Sequence, residues 1–228
     1  MDRKIEFIKP EYEVTIGSAY FCLIKERTNT DISYEDTVLE VPTIKTLGLT
    51  RTVSELEVYA SGILFDYLNR TAGANIALNA VTLPAYLLDR IEGAAKDAGF
   101  TFNRTNDIER EFAFGYWGEN SDGSFMFYWH PVCKLTPTEE NHQTRTAEIP
   151  DPERNYAVRV IPYNNLWRTR YNTNADKEAG YKPLEKAQFF LMPIYREDQI
   201  PEREKADADT DTPPTDPPQD PPTDPDDD

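Results

Sequence analysis

Apolar and polar positions alternate over short spans along much of the chain, which is the period of half-buried β-strands. Ala19-Tyr-Phe-Cys-Leu-Ile-Lys is a continuous apolar run suited to a central strand, and Glu55-Leu-Glu-Val-Tyr-Ala alternates cleanly. Strands are predicted over Ile63 to Leu68 and Ala74 to Leu83, and the turn-prone Asn69-Arg-Thr-Ala-Gly73 between them predicts a hairpin. A second hairpin is predicted from Phe112-Ala-Phe-Gly-Tyr-Trp-Gly and Ser124-Phe-Met-Phe-Tyr-Trp-His, because Asp122-Gly123 between them supplies the positive φ angles of a tight reversal. Later strands are expected at His142 to Ile149, Tyr156 to Pro162 and Gln188 to Tyr195.

Helical spacing is found in one stretch, Leu83 to Gly99. Pro84 suits its first position, Leu87, Leu88, Ile91 and Ala95 form one apolar stripe, and Gly99 is a plausible stop. One helix among about ten short strands predicts a mainly β fold, a β-sandwich or barrel with one flanking α-helix. Two polar stretches, Thr28 to Val53 and Asn164 to Lys186, are too long for ordinary hairpin loops and are expected as extended loops or arms that order against neighbouring molecules. From about Arg203 the apolar residues nearly vanish and Pro-Pro-Thr-Asp and Pro-Pro-Gln-Asp units recur. The expectation is one domain over residues 1–202 and a disordered, Asp/Pro-rich acidic tail over 203–228, either solubilising or a partner-binding peptide.

Charge sharpens this division. The formal net charge is −17, and nine of the negative charges are aspartates within residues 206–228, leaving −8 for residues 1–205. Such a balance disfavours ordinary nucleic-acid binding. The first residues lack the apolar stretch of a secretory signal, and no apolar run approaches the ~20 residues of a membrane-spanning helix. Cys22 and Cys133 sit in apolar strand contexts; they have the means to pair, but are read as buried free thiols.

Candidate chemistry is sparse. His130 and His142 have no metal-ligand spacing with the cysteines, and His130 is read as a strand-end histidine rather than a base. Asp207, Asp209 and Asp211 resemble half a calcium loop but lack its turn Gly and closing Glu. Phosphate loops, nucleophile elbows and zinc-protease helices are missing from the sequence. Glu109 and Glu111 flanking Arg110 read as a charged strand edge, and Trp117, Trp129 and Trp167 as packing residues rather than a sugar-stacking platform. No catalytic, cofactor-binding or metal-binding residue is assigned, and no enzyme activity or cofactor is expected.

Two stretches carry a resemblance. Val58-Tyr-Ala-Ser-Gly-Ile, Ala77-Leu-Asn-Ala-Val-Thr-Leu-Pro and Leu87-Leu-Asp-Arg-Ile-Glu-Gly, followed by Phe112-Ala-Phe-Gly-Tyr-Trp, Asp122-Gly-Ser-Phe-Met-Phe-Tyr-Trp, Cys133-Lys-Leu-Thr-Pro and Gln143-Thr-Arg-Thr-Ala-Glu-Ile-Pro, resemble the major tail tube proteins of long-tailed bacteriophages (siphophages). The resemblance covers Val58 to Ala94 and Phe112 to Ile161. It implies a β-sandwich with one flanking helix, forming hexameric rings that stack into a tube for DNA ejection. It further implies residence in the virion tail after assembly in the host cytoplasm, and contacts with tape-measure, distal-tail and terminator proteins. DNA would pass through the lumen without specific binding, and no membrane contact is implied. In that setting Thr28 to Val53 is expected to bridge rings. The competing expectations are another tail component of the same fold, a carbohydrate-binding β-sandwich module, and an enzyme with an unrecognised carboxylate pair.

Overall fold

The computed structural model describes residues 12–60, 63–136 and 153–206. The strand expected at His142 to Ile149, the Asp207 to Asp211 motif and nearly all of the acidic tail lie outside the described residues. In chain order the elements are β1 (Glu13–Arg27), β2 (Ile32–Tyr34), β3 (Leu39–Val41), β4 (Ile44–Ala60), β5 (Ile63–Ala80), α1 (Ala85–Glu92), β6 (Ala95–Asp97), β7 (Phe100–Phe102), β8 (Phe112–Asn120), β9 (Phe125–Thr136), β10 (Arg154–Val160), β11 (Thr169–Asn172), α2 (Thr173–Glu178) and α3 (Lys186–Phe189). The fold is mainly β, with α1 as its longest helix.

Nine strands form one antiparallel sheet in the order β2-β1-β8-β9-β10-β5-β4, with β3 added to β1 and β11 to β9. The sheet curls so that the start of β4 approaches β1. Inside the curl lies the main core, where Phe21, Leu23, Phe112, Phe114, Tyr128, Ile76, Leu78, Val158 and Val160 meet Leu87 and Ile91 of α1. β1, β8 and β9 are covered on their other face as well. There Cys22, Ala113, Phe127 and Trp129 pack under Phe189, Phe190 and Ile194. A third cluster joins Ile24, Ile32, Val132, Tyr163 and Tyr195. Burial on both faces explains why Ala19 to Ile24 and Phe125 to Cys133 read as continuous apolar runs rather than alternations.

The hairpin predicted around Asp122-Gly123 is present. Gly123 takes φ +80°, and Ser124 closes the turn through Asp122. Other expectations need correction. Asn69 to Gly73 is not a reversal, because β5 runs unbroken from Ile63 to Ala80. The partner strand β4 lies opposite this stretch, and its turn propensity is absorbed as a register shift between Thr52↔Gly73 and Val53↔Thr71. The helix ends at Gly93, not Gly99. Gly93 adopts φ +72°, and a Cβ there would stand 2.5 Å from the Ile108 carbonyl oxygen. The residues beyond form a small hairpin, β6 with β7, turning at Ala98 and Gly99. Gln188 to Tyr195 is not a strand. α3 opens it behind a capping box between Glu185 and Gln188, and its apolar residues roof the second core; a short apolar run does not distinguish the two states.

Thr28 to Val53 does not project as an arm. β2 and β3 pair with β1, and Ile32 and Val41 are buried. Asn164 to Lys186 likewise lies on the body: β11 pairs with β9, and Thr173 at the start of α2 accepts from the Phe125 amide at 2.9 Å. Pairing continues past residue 202, since the Lys182 amide donates to the Glu204 carbonyl at 2.8 Å and the Ala206 amide to Gly180 at 3.0 Å. Arg203 reaches the buried Asp176 at 2.5 Å.

Candidate assembly surface

Uncovered strand dominates one region, the outer half of the β4–β5 hairpin. β10 supports β5 from Arg154↔Ala80 to Val160↔Ala74 and then ends. Gly73 marks that limit: φ is +154°, and a Cβ would stand 2.8 Å from the Val160 carbonyl oxygen. Beyond it, from Thr52↔Gly73 to Ala60↔Ile63, β4 and β5 pair only with each other among the described residues. At ~3.4 Å per residue the ribbon extends roughly 25 Å from the body.

The inner part of the hairpin is ordinary. Leu47 and Leu49 lean on the core, and Ala74, Ile76, Leu78 and Ala80 are buried in it. The outer ribbon is apolar without any such cover. Leu56 faces Leu68 across the strands and Tyr67 faces Glu57, so both faces carry apolar groups. Val53, Leu56, Tyr59, Phe65, Tyr67 and Leu68 are all exposed, Phe65 by 78%. Tyr59 donates to Glu57 at 2.6 Å, which raises the phenol's pKa. A lone two-stranded ribbon is marginal in water, and contiguous exposed apolar surface of this kind marks an interaction site. β4 is also a terminal strand of the sheet and pairs with β5 alone among the described strands, so a 17-residue strand presents an open edge.

The groups with chemical potential are spent on packing. His130 lies inside β9, not at its end; it is fully buried, stacks on Tyr116 and meets the Trp167 ring at a tilt. Its Nδ1 donates to the Trp167 carbonyl at 3.0 Å, while Nε2 has no partner among the described residues. Burial lowers its pKa to about 4. Trp129 is completely buried, with its indole N–H donating to Phe189. Trp117 lies beneath the Lys186 ammonium, and Trp167 beneath Arg168; the three indoles do not form an exposed platform. Glu111 adjoins β8, which is an interior strand rather than an edge, and it pairs with Arg27 at 3.1 Å and Lys134 at 3.6 Å. Glu109 is exposed. Arg110 turns inward, and with Arg90 it holds Glu35, tying α1 to the chain after β2. Cys22 and Cys133 are free and buried, and desolvation pushes the Cys22 thiol up to about 12. His142 lies outside the described residues.

Among the described residues no three His, Cys, Asp or Glu stand close enough to hold a metal ion. No helix among them is long and apolar enough to cross a membrane. The outer ribbon was missed by the local turn signal at Asn69 to Gly73. The signal for the long hairpin as a whole, though not for the limit of its outer half, is the absence of proline between Pro42 and Pro84, with Ser61-Gly62 near the middle of that span. Compared with known proteins, the chain matches no family model and no curated protein.

Proposed function

We propose that this protein is a structural subunit of a long-tailed phage's tail tube, assembling as six-membered rings that stack into a conduit for DNA. The observation that carries this reading is the outer β4–β5 ribbon, apolar on both faces and continuous with an open sheet edge. Covered by an identical neighbour, the apolar ribbon leaves water and the β4 edge gains a ladder partner, and ring closure removes free edges altogether. The resemblance of Val58 to Ala94 and Phe112 to Ile161 to tail tube proteins points the same way. The ribbon, rather than Thr28 to Val53, takes the role of the inter-subunit element. The body's acidic balance lets DNA slide without specific binding, and tape-measure, distal-tail and terminator proteins are the further partners.

Negative-stain electron microscopy of the purified chain over a concentration series tests this directly. Six-fold rings or hollow rods are expected. A monomer at every concentration, in the presence as well as the absence of a preformed tail tip, would refute it.

A further inference from the structure

A second surface is built differently. Between α2 and α3 runs an open groove of about 500 Å³ whose apolar lining includes Phe125, Phe127, Pro183, Leu184 and Ala187, with Lys177 and Lys186 among its bordering residues. The Lys186 ammonium lies 3.3 Å from the Trp117 ring centroid and 4.5 Å from that of Phe125. Neither lysine has an ion pair among the described residues, although the chain carries 41 acidic residues against 24 basic ones. Glu185 beside them is occupied in the capping box of α3.

We propose that this groove holds the Pro-Pro-x-Asp segment of the same chain, residues 213–225, lying as a polyproline II strand with one of its aspartates toward Lys177 and Lys186. Three observations converge. Aromatic-lined grooves suit proline-rich segments, because the extended conformation is already set by the fixed φ and little entropy is lost on docking. The segment bears Asp216, Asp220 and Asp224 and no base, so its charge complements the two lysines. The described chain ends where the groove begins. Ala206 is hydrogen-bonded to Gly180, three residues before Pro183, and Arg203 anchors this end on Asp176. Pro213 lies seven residues farther on, a reach of roughly 22 Å at ~3.1 Å per residue.

The test is nuclear magnetic resonance on the isotope-labelled full chain. Transverse relaxation of the Thr215, Gln219 and Thr223 amides is expected to match the body, not a free peptide. Replacing Pro213, Pro214, Pro217 and Pro218 by Ala, outside the packed core, should return those amides to fast motion and shift the signals of Phe125, Lys177 and Ala187. Lys177→Glu should weaken docking roughly two- to tenfold, the scale of reversing one exposed ion pair. Fast tail motion in the unaltered chain overturns the proposal. So does a slowed tail whose proline variants leave the groove signals in place. Slowing that disappears on dilution overturns it too, because the segment then comes from a second copy. Tube formation plays no part in this readout, so the two proposals fail separately.

Discussion

The β8–β9 and β4–β5 hairpins are both long, antiparallel and rich in aromatic and branched residues, yet among the described residues one is buried between two cores and half of the other has no cover. β8 and β9 lie between two cores, so Phe114 and Tyr128 face the inside of the curled sheet while Phe127 and Trp129 face α3 and the chain behind it. In β4–β5, Leu47 and Ile76 have the same kind of environment, but Leu56 and Phe65 have none. Apolar content therefore states what a strand requires, not who supplies it. In β8–β9 the same chain supplies it; in the outer ribbon no described residue does.

The largest expected contrast comes from truncating the anchor of the enclosed hairpin. Trp129→Ala removes the side chain that fills the second core and donates to Phe189, and it should cost about 3–5 kcal/mol. Urea denaturation should show the midpoint lowered by that free energy divided by the m-value.

A somewhat smaller effect is expected from acid, and it also belongs to β9. The unfolded His130 imidazole titrates near ~6.5, whereas the folded one titrates at about 4 because burial disfavours its cation. Between those values the unfolded chain binds a proton that the folded chain does not. Stability from this group is complete above pH ~6.5 and is lost as pH falls toward ~4, by up to about 3 kcal/mol. The difference between the stability-against-pH curves of the unaltered protein and His130→Gln isolates it. Asp122, held down to about 2 by hydrogen bonds from Ser124 and Asn174, acts only below that window. A slope unchanged in His130→Gln would remove the argument.

The two hairpins also differ in the room around their glycines. A Cβ at Gly115 of β8 would lie 2.9 Å from Trp129 and 3.0 Å from Phe190, whereas one at Gly48 of β4 would meet only Ala77, at 4.0 Å. Gly115→Ala should cost about 1–3 kcal/mol through overpacking. Gly48→Ala should stabilise by roughly 0.5 kcal/mol, by reducing unfolded-state freedom at an open strand position. Thermal melts of the pair read the sign directly.

These contrasts explain which parts of the fold were legible in sequence. The β8–β9 hairpin was, because its turn signal, its apolar runs and its packing agree. β1, β10 and the first turns of α1 were legible for the same reason. Where a neighbour overrides local preference the reading fails. Gly73 carries a turn signal that the β4 ladder converts into a bulge, and α1 stops six residues early at Gly93, beside the Ile108 carbonyl. The stretch from Thr28 to Val53 reads as an arm because it is too long for a hairpin loop and its apolar residues are spaced irregularly. Ile32 and Val41, with Tyr34, Val38 and Leu39 packed on the cores beside them, dock it, since β1 offers β2 and β3 hydrogen-bonded partners. No local pattern distinguishes the outer ribbon from its inner part: both alternate, and the difference is how far β10 reaches.

The smallest expected change in the isolated subunit is therefore the most informative. Leu56→Ser combined with Phe65→Ser removes two side chains that are 57% and 78% exposed, and exposed positions of this kind shift stability by less than about 0.5 kcal/mol. Among the described residues nothing in the body leans on either one, so the melt of the dilute double variant should overlie that of the unaltered protein. Assembly should nevertheless fail, because two copies would now meet across serines where they had buried a leucine and a phenylalanine. A variant that melts early would place the ribbon among the subunit's own supports, and one that still forms rods would move the contact elsewhere. An unchanged melt with no rods keeps the two hairpins apart as argued: one serves the fold of a single chain, the other its joining to the next.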